Sequence, residues 1–242
     1  MTIKLAIMGA AGRMGRETIA QAINDQSLCV VGACEHPDSQ SIGLNIEGYG
    51  VTITSDISSA IANADVIIDF SLANGVAEHV AIATEYHTPF VTGVTGMSTE
   101  TLKALEAAGD HIPVLRAANF SIGMNLLLEV SQQLSKMLPN NFDIDIIEAH
   151  HNKKKDTPSG TALSLASAIG RDNINIHAIR SGDIIGDHTI MFSGDGERLE
   201  LKHQVQNRAT FARGALTAAK YVATSSPGMY SMSDIIKGCI YA

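Results

Sequence analysis

The sequence predicts an α/β protein in which a doubly wound parallel sheet is joined to a smaller α+β domain with a mixed sheet. Two observations lead to this prediction. In the first half of the chain, short apolar runs alternate with stretches of helical periodicity, which is typical of a parallel sheet covered by helices on both faces. In the second half, segments that alternate polar and apolar residues take over, and this pattern favours an antiparallel or mixed sheet.

The first strand is expected at Ile3–Met8, a β-branched and apolar run that should be buried on both faces at the centre of the sheet. The stretch GAAGRMG follows from Gly9 to Gly15, and apolar residues then recur at helical spacing. A strand, a glycine turn and a helix in this order indicate a Rossmann-like domain. Further strands are predicted at 28–35, 51–54, 65–70, 90–93 and 112–117, with helices at 74–86 and 99–109.

The second half begins with a long amphipathic helix predicted at 119–138. The remaining predictions are strands at 143–149, 188–192 and 198–205, helices at 160–169 and 210–224, and a closing segment at 226–236. We expect residues 1–121 and 218–242 to form a dinucleotide-binding domain. Residues 122–217 should form a substrate-binding and oligomerisation domain, and the two domains should close over a substrate.

The composition excludes several classes of protein. A formal net charge of −8 argues against a nucleic-acid partner, because binding to the phosphate backbone draws on clustered Lys and Arg. No segment approaches the roughly 18 apolar residues of a membrane span. The three cysteines, Cys29, Cys34 and Cys239, support neither a disulfide framework nor a structural zinc site. These features predict a cytoplasmic protein.

The glycine turn between the first strand and helix suits a dinucleotide. Glycines there allow a tight turn and a close backbone approach to a pyrophosphate, which the helix N-terminus would attract. Glu35 lies 20 residues after Gly15, about where an acid binds an adenosine ribose. Ala11 occupies the position where the usual motif has its second glycine, and the alternative is that these glycines only pack a helix against a strand.

The carboxyl ends of the predicted parallel strands point to one crevice. In open sheets of this kind ligands bind beyond those ends. We therefore expect residues at the strand ends to converge there, namely Gly9, Glu35, Ser71, Gly93 and Asn119.

The stretch EAHHNKKKDTPSGTA, at 148–162, carries the most unusual chemistry in the chain. His150 and His151 would face opposite sides of a strand, so at least one should reach the crevice. Taken singly, each histidine could be structural and the three lysines a solvated surface. Combined with a helix N-terminus capped by Ser159, they predict a receptor for a small carboxylate with a proton source. A metal site is disfavoured, because the histidines are adjacent and no Cys or carboxylate lies at ligand spacing.

These stretches resemble the dihydrodipicolinate reductase (4-hydroxy-tetrahydrodipicolinate reductase) family. The matching segments are GAAGRMGR, DVIIDFS, TGVTG, AANFSIGMN, IEAHHNKKKDTPSGTA, RSGDIIGDHTIMF and MYSMSDII, which occur in order over nearly the whole chain. The resemblance implies reduction of a cyclic unsaturated imine dicarboxylate by NADH or NADPH in the diaminopimelate route of lysine biosynthesis. It also implies a homotetramer built through the sheet of the second domain.

The resemblance also assigns roles to residues. His150 is similar to the proton donor and Lys154 to the second catalytic residue, while the substrate-binding positions are His151, Ser159, Gly160 and Thr161. The cofactor-binding positions are Gly9, Ala10, Ala11, Gly12, Arg13 and Met14 at the pyrophosphate, Glu35 and His36 at the ribose, and Gly93, Val94, Thr95, Ala117, Ala118, Asn119 and Phe120 along the nicotinamide. His36 stands where relatives often carry Arg, and Val94 where many carry Thr. The rival hypotheses are a different oxidoreductase and a nucleotide sensor without turnover.

Overall fold

The computed structural model describes residues 2–240 and divides into two compact units. The first contains the described residues up to Phe120 and from Phe211 onward, and the second contains Ser121–Thr210. Each unit has a sheet and an apolar core of its own.

The secondary-structure elements are numbered here in chain order. Those before Phe120 are β1 (Ile3–Met8), α1 (Arg13–Ala22), β2 (Leu28–Cys34), β3 (Asn45–Ile46), β4 (Val51–Thr52), α2 (Ile57–Ile61), β5 (Val66–Asp69), α3 (Val76–Glu85), β6 (Phe90–Thr92), α4 (Thr99–Ala108) and β7 (Pro113–Arg116). Those that follow are α5 (Ile122–Met137), β8 (Asp143–His150), α6 (Gly160–Ile169), β9 (Asn175–Arg180), β10 (Gly186–Gly194), β11 (Glu197–Val205), α7 (Ala209–Val222), β12 (Gly228–Tyr230) and α8 (Met232–Ile240).

The first unit contains a six-stranded sheet in the order β12-β7-β6-β5-β1-β2, in which every pairing is parallel. Leu5 and Ile7 of β1 face a core shared with α1, α7 and α8, whereas Ala6 and Met8 face a core shared with α3 and α4. Helices on both faces confirm the predicted doubly wound sheet.

Two expectations about this sheet are wrong in detail. Strand β1 is the fifth of six strands and not the central one, because β12, which the sequence did not indicate as a strand, pairs with the far edge at β7. Residues 51–54 do not form a continuous strand of the parallel sheet, which they join by a single parallel bridge between Thr54 and Cys34. Val51–Thr52 instead pairs antiparallel with Asn45–Ile46, since Gly48 and Gly50 adopt φ values of +84° and +66° that favour a tight turn.

The second unit contains a mixed four-stranded sheet in the order β11-β10-β8-β9. The pairs β10–β11 and β10–β8 are antiparallel and β8–β9 is parallel, which confirms the predicted mixed sheet. Strand β9 was not predicted, because most of its residues are exposed and show no alternating apolar face. Helices α5 and α6 pack on one face of the sheet, where the core includes Met124, Leu127, Ile146, Leu165, Ile190 and Phe192.

The structure also bears on the predictions about membrane spans and cysteines. Within residues 2–240, no helix has both the length and the apolar composition needed to cross a bilayer. Cys29 and Cys34 are free thiols, and the side chain of Cys239 lies outside those that the structure describes.

Candidate active site

The turn after β1 requires glycine at its first position. Gly9 has a φ of +72°, and a Cβ there would lie 2.7 Å from the carbonyl oxygen of Phe70. The backbone N–H groups of Gly9 and Ala10 donate to the carbonyl oxygen of Cys34 at 2.9 and 3.1 Å. The turn is thereby held between the ends of β2 and β5.

Helix α1 begins directly after this turn with its first amide groups uncapped. Gly12 is the N-cap residue, no side chain caps the helix, and its first turn contains no acid. A Cβ at Gly15 would overlap the carbonyl oxygen of Gly9, so glycine is needed for the turn and helix to pack this closely. Arg13 is exposed and Met14 half-buried at the same end. Open N–H donors and the positive end of the helix dipole suit a phosphate group.

The carboxylate of Glu35 is bonded to this turn. Its Oε1 accepts a hydrogen bond from the N–H of Ala11 at 2.7 Å, and its Oε2 accepts one from the N–H of His36 at 3.2 Å. Ala11 therefore contributes its backbone donor to the site although it replaces the second glycine of the motif. The ring of His36 is exposed, and its Nδ1 lies 3.6 Å from Oδ2 of Asp38.

A cavity of about 320 Å³ opens at this end of the sheet. Gly9, Glu35, His36 and Ser71 line it, together with Glu78. The structure thus brings together three of the five strand-end residues expected to converge, with His36 beside them.

The other strand ends pack around two aromatic rings. Phe70 and Phe120 stack edge to face with centroids 5.7 Å apart, and a Cβ at Gly93 would overlap the ring of Phe70. Val94 is buried in the core on the α3 and α4 side, and its N–H bonds to Oγ1 of Thr92 at 3.2 Å. Of the remaining positions, Thr95 and Ala118 are exposed, and Ala117 and Asn119 are half-buried.

An acid and a histidine beside the cavity were not predicted to belong to the site. Asp69, at the end of β5, is fully buried, and its Oδ2 lies 2.9 Å from Nδ1 of His79. Its Oδ1 accepts the N–H of Ser71 at 2.8 Å, and His79 itself lines the cavity. The available signal was the acid that ends the apolar run DVIID, because a buried carboxylate needs a partner.

These features of the first unit fit a bound dinucleotide. Gly9 and Gly15 have no room for a side chain, the helix presents free amide donors, and a carboxylate stands at the end of β2. This combination can hold a pyrophosphate and a ribose diol.

In the second unit, one face of β8 changes from apolar to polar along the strand. Ile144 and Ile146 face the core, and Glu148 and His150 continue the same row, all four being buried. His151 follows at the end of the strand and is half-buried, and its Nδ1 is buried without a hydrogen-bond partner among the described residues. The alternation of a strand therefore places the two adjacent histidines differently.

Glu148 is fully buried and accepts hydrogen bonds from three residues. Arg180 of β9 donates to it from its two terminal guanidinium nitrogens, from Nη1 to Oε2 at 2.8 Å and from Nη2 to Oε1 at 2.7 Å. The N–H of Ser159 donates to Oε1 at 3.1 Å, and Nδ1 of His150 lies 2.5 Å from Oε2. Burial alone would raise the pKa of Glu148, but these donors hold it below the usual range.

The environment of His150 acts on its charge in both directions. Burial lowers the pKa of this imidazole, Glu148 opposes that effect, and the positive charges of Lys154 and Arg180 add to it, with a net lowering. The ring of His188 lies edge-on at a centroid distance of 5.2 Å. A Cβ at Gly186 would lie 3.2 Å from Nε2 of His150, so glycine there leaves space beside this nitrogen.

The loop after β8 presents its cations around Lys154. The Nζ of Lys154 lies 2.9 Å from Oδ2 of Asp156, and its side chain is partly buried, whereas Lys153 and Lys155 are exposed. Its backbone N–H donates to the carbonyl oxygen of His151 at 3.1 Å. The lysines of this run are therefore not equivalent, and Lys154 is the one held in place.

Helix α6 starts where this loop ends. Ser159 is its N-cap, and the Oγ accepts the N–H of Ala162 at 3.2 Å. Gly160 is exposed, Thr161 is half-buried, and the first turn contains no acid. Amide groups at this helix end can bind a carboxylate.

Glu148 and Arg180 are site residues that the sequence analysis did not single out. The signal for Glu148 was its spacing of two from His150, which places both on one face of a strand. Arg180 had no such signal, since its strand was not predicted. Across the described residues, no group of three or more His, Cys, Asp or Glu side chains is arranged to hold a metal ion.

Comparisons with known proteins cover both units. The family described as dihydrodipicolinate reductase, N-terminus, matches residues 3–120, and the one described as dihydrodipicolinate reductase, C-terminus, matches residues 123–236. Curated relatives named 4-hydroxy-tetrahydrodipicolinate reductase include one from Magnetococcus marinus, 39% identical over 98% of this chain and 99% of its own length. Another, from Burkholderia ambifaria, is 37% identical over 97% of this chain and 99% of its own.

Solved structures show the same likeness. A dipicolinate-bound dihydrodipicolinate reductase from Paenisporosarcina sp. TG-14 has a TM-score of 0.84 and 26% identity, covering 97% of this chain and 100% of that one. A myo-inositol dehydrogenase from Corynebacterium glutamicum shares the fold at a TM-score of 0.63 and 14% identity, covering 100% of this chain and 96% of that one.

Proposed function

Since the chain belongs to the dihydrodipicolinate reductase family, we propose that it acts as a 4-hydroxy-tetrahydrodipicolinate reductase. It reduces a cyclic unsaturated imine dicarboxylate to tetrahydrodipicolinate, as an oxidoreductase of lysine biosynthesis. The single observation that carries this proposal is the polar end of β8, where a buried imidazole stands beside a cation and a helix N-terminus.

The cofactor is a nicotinamide dinucleotide, which supplies a hydride when bound. The residues of the first unit bind and orient it. The open amides of the first turn of α1, from Arg13 to Gly15, hold the pyrophosphate, and the turn from Gly9 to Gly12 brings the backbone close to it. Glu35 accepts hydrogen bonds from the ribose. Gly93 and the segment 117–120 line the nicotinamide end, where Phe70 and Phe120 form an apolar wall.

His150 is the proton donor. Hydride addition to a conjugated imine leaves negative charge on the substrate, and a proton must neutralise it. Nδ1 of His150 is occupied by Glu148, so the proton leaves from Nε2, on the side where Gly186 leaves space. Loss of this acid removes the factor of about 100 or more that general acid catalysis contributes.

The substrate carboxylates bind the cations and amides after β8. Lys154 exchanges its contact with Asp156 for one with a substrate carboxylate. The amides of Gly160 and Thr161 bind the second carboxylate of the substrate, and Ser159 caps the helix that presents them. His151, half-buried at the end of β8, contributes to binding of the same dianion.

Assembly and location belong to the same proposal. We propose a homotetramer, supported by the half-buried outer residues of β8 and β10, which alternate with the inner ones that α5 and α6 cover. Light scattering should then give four times the 25.6 kDa chain mass. The free thiols of Cys29 and Cys34 support a reducing compartment, the cytoplasm.

The test is a turnover assay with the freshly made product of dihydrodipicolinate synthase. Oxidation of NADH and of NADPH is followed separately by absorbance at saturating substrate. Wild-type protein should consume reduced cofactor only when this substrate is present, and His150→Gln should lower kcat by about 100-fold or more with little change in KM. No cofactor oxidation by the wild-type protein would overturn the proposed function.

A further inference from the structure

We propose that Glu148, clamped by Arg180, is a positioning residue that fixes His150 with Nε2 as its proton-donating nitrogen. This inference rests on the proposed function, in which His150 supplies the proton. Glu148 would touch neither substrate nor cofactor in this role, and it would act only through the imidazole.

The carboxylate of Glu148 is built into the protein as an anion. It is fully buried at the end of an apolar row, where an unpaired charge would be strongly unfavourable. Arg180 binds both of its oxygens in a fork, and the N–H of Ser159 donates to one of them. Arg180 is itself held by the carbonyl oxygens of Asp156 and Ile179, at 2.6 and 2.8 Å.

An ionised carboxylate determines which nitrogen of the imidazole carries hydrogen. Because Glu148 can only accept, Nδ1 of His150 must donate across the 2.5 Å contact. In the neutral ring the hydrogen then resides on Nδ1, and the proton gained on charging resides on Nε2. Nε2 therefore releases a proton to the substrate without breaking the bond to Glu148.

The charged groups around His150 make Glu148 the element that favours the imidazolium. Lys154 from the loop, Arg180 from β9 and the buried ring of His188 from β10 all surround it, and the two cations disfavour a further positive charge. Of the groups that act on the charge of His150, Glu148 is the one that favours the protonated imidazolium. Replacing the carboxylate with an amide leaves burial and the two cations unopposed, so the ring loses its proton at lower pH.

If Glu148 and Arg180 were only a structural ion pair, replacing Glu148 would change activity in a different way. Breaking such a pair destabilises the protein and lowers activity by the same factor at every pH. If Glu148 positions His150, its replacement instead shifts the pH at which His150 loses the proton that it donates. The pH–rate profile separates the two.

The experiment compares Glu148→Gln with Asp145→Asn in the full-length protein. Asp145 is the matched control, because it lies three residues earlier on β8 and pairs with an imidazole, His177, at 2.7 Å. The profile of kcat against pH is recorded for wild type and both variants with the same substrate and cofactor. Circular dichroism and unfolding curves establish that each variant is folded.

The alkaline limb of the Glu148→Gln profile of kcat against pH should move to lower pH by about one unit or more. At pH 7.5 the kcat of this variant should be at least about tenfold below that of wild type, and near pH 6 it should partly recover. Asp145→Asn should retain the wild-type limb. An unshifted limb in Glu148→Gln, or a reduction equal at all pH values, would overturn the positioning role.

A second measurement does not depend on the folding of the variant. Nitrogen-15 NMR of histidine-labelled wild-type protein, assigned through His150→Gln, should show neutral His150 with hydrogen on Nδ1. Hydrogen on Nε2 would overturn the inference. Failure of the wild type to turn over would instead overturn the proposed function and leave this NMR result unaffected.

Discussion

Glu148 and His150 lie two residues apart on one face of β8, with Oε2 and Nδ1 separated by 2.5 Å. Arg180, on the adjacent parallel strand, binds the same carboxylate through two nitrogens. The imidazole is thus oriented by a buried network that belongs to the sheet and not to the loop that follows it. A proton donor held on a strand keeps its direction better than one held on a loop.

Lys154 and Lys153 are neighbours whose replacement should have different effects. Lys154 is partly buried and paired with Asp156, whereas Lys153 is exposed. Lys154→Ala should lower kcat/KM by about 10- to 100-fold, because a hydrogen bond to a charged group contributes about 1.5–3 kcal/mol. Lys153→Ala should stay within about twofold of wild type. Steady-state kinetics measure both, and equal losses in the two variants would exclude a specific role for Lys154.

We predict that the ribose end of the cavity favours NADH over NADPH. Glu35 and Glu78 line it, the carboxylate of Asp38 lies 3.6 Å from Nδ1 of His36, and this nitrogen accepts the backbone N–H of Asp38. A 2′-phosphate would therefore meet like charge. We expect kcat/KM for NADH to exceed that for NADPH by at least about tenfold. His36→Arg should narrow the ratio by supplying a guanidinium, while the control His111→Arg, on the exposed surface, should not. A wild-type preference for NADPH would contradict this prediction.

Gly15 and Gly238 test the close packing of the glycine turn. Both lie inside helices, but a Cβ at Gly15 would overlap the carbonyl oxygen of Gly9, whereas no neighbouring atom of the described residues lies within 4 Å of one at Gly238. Gly15→Ala should lower the free energy of unfolding by about 1–3 kcal/mol through overpacking. Gly238→Ala should raise it by about 0.5–1 kcal/mol through helix propensity. Urea unfolding measures both, and a Gly15→Ala protein as stable as wild type would show that the turn tolerates a side chain.

His188 should make stability depend on pH. Burial, with the charge of His150 as a smaller cause, lowers the pKa of His188 from 6.5 to about 4, and neither of its ring nitrogens has a hydrogen-bond partner among the described residues. The unfolded chain takes up a proton below pH 6.5 that the folded protein binds only near pH 4. Stability is therefore complete above the unfolded pKa and falls as the pH drops from there towards the folded pKa, by up to about 3 kcal/mol.

His188→Leu should remove this part of the pH dependence, because leucine does not titrate. Unfolding free energies at pH 7 and pH 4 for wild type, His188→Leu and the exposed control His111→Leu provide the comparison. If wild type and His188→Leu lose the same stability between the two pH values, His188 is not the group responsible.

Much of the first unit could be predicted because its strands are buried on both faces and therefore appear as continuous apolar runs, as at Ile3–Met8. The hairpin of Asn45–Ile46 and Val51–Thr52 could not, since its pairing depends on one turn in which Gly48 and Gly50 both adopt positive φ. Strand β12 is only three residues long, and β9 lacks an apolar face, so neither leaves a periodic signal.

The candidate site likewise contains residues that the sequence indicated and residues that it did not. Gly9 and Glu35 occur at a spacing that chemistry explains, and His150 ends β8 directly before a loop of distinctive sequence. The partner of His150 was visible in the sequence as Glu148, but its role depends on Arg180, which reaches it from a strand that no pattern indicated. Contacts between strands that are distant in sequence require the sheet order, which a single sequence does not contain.

The most direct test of the account is the transfer of hydrogen from cofactor to substrate. The product of dihydrodipicolinate synthase is incubated with the protein and NADH deuterated on the transferred face, in ordinary water, and the reduced ring is examined by mass spectrometry and NMR. We expect one deuterium on a ring carbon of tetrahydrodipicolinate, with the second new hydrogen coming from solvent through His150. A product without deuterium, or no product at all, would contradict it.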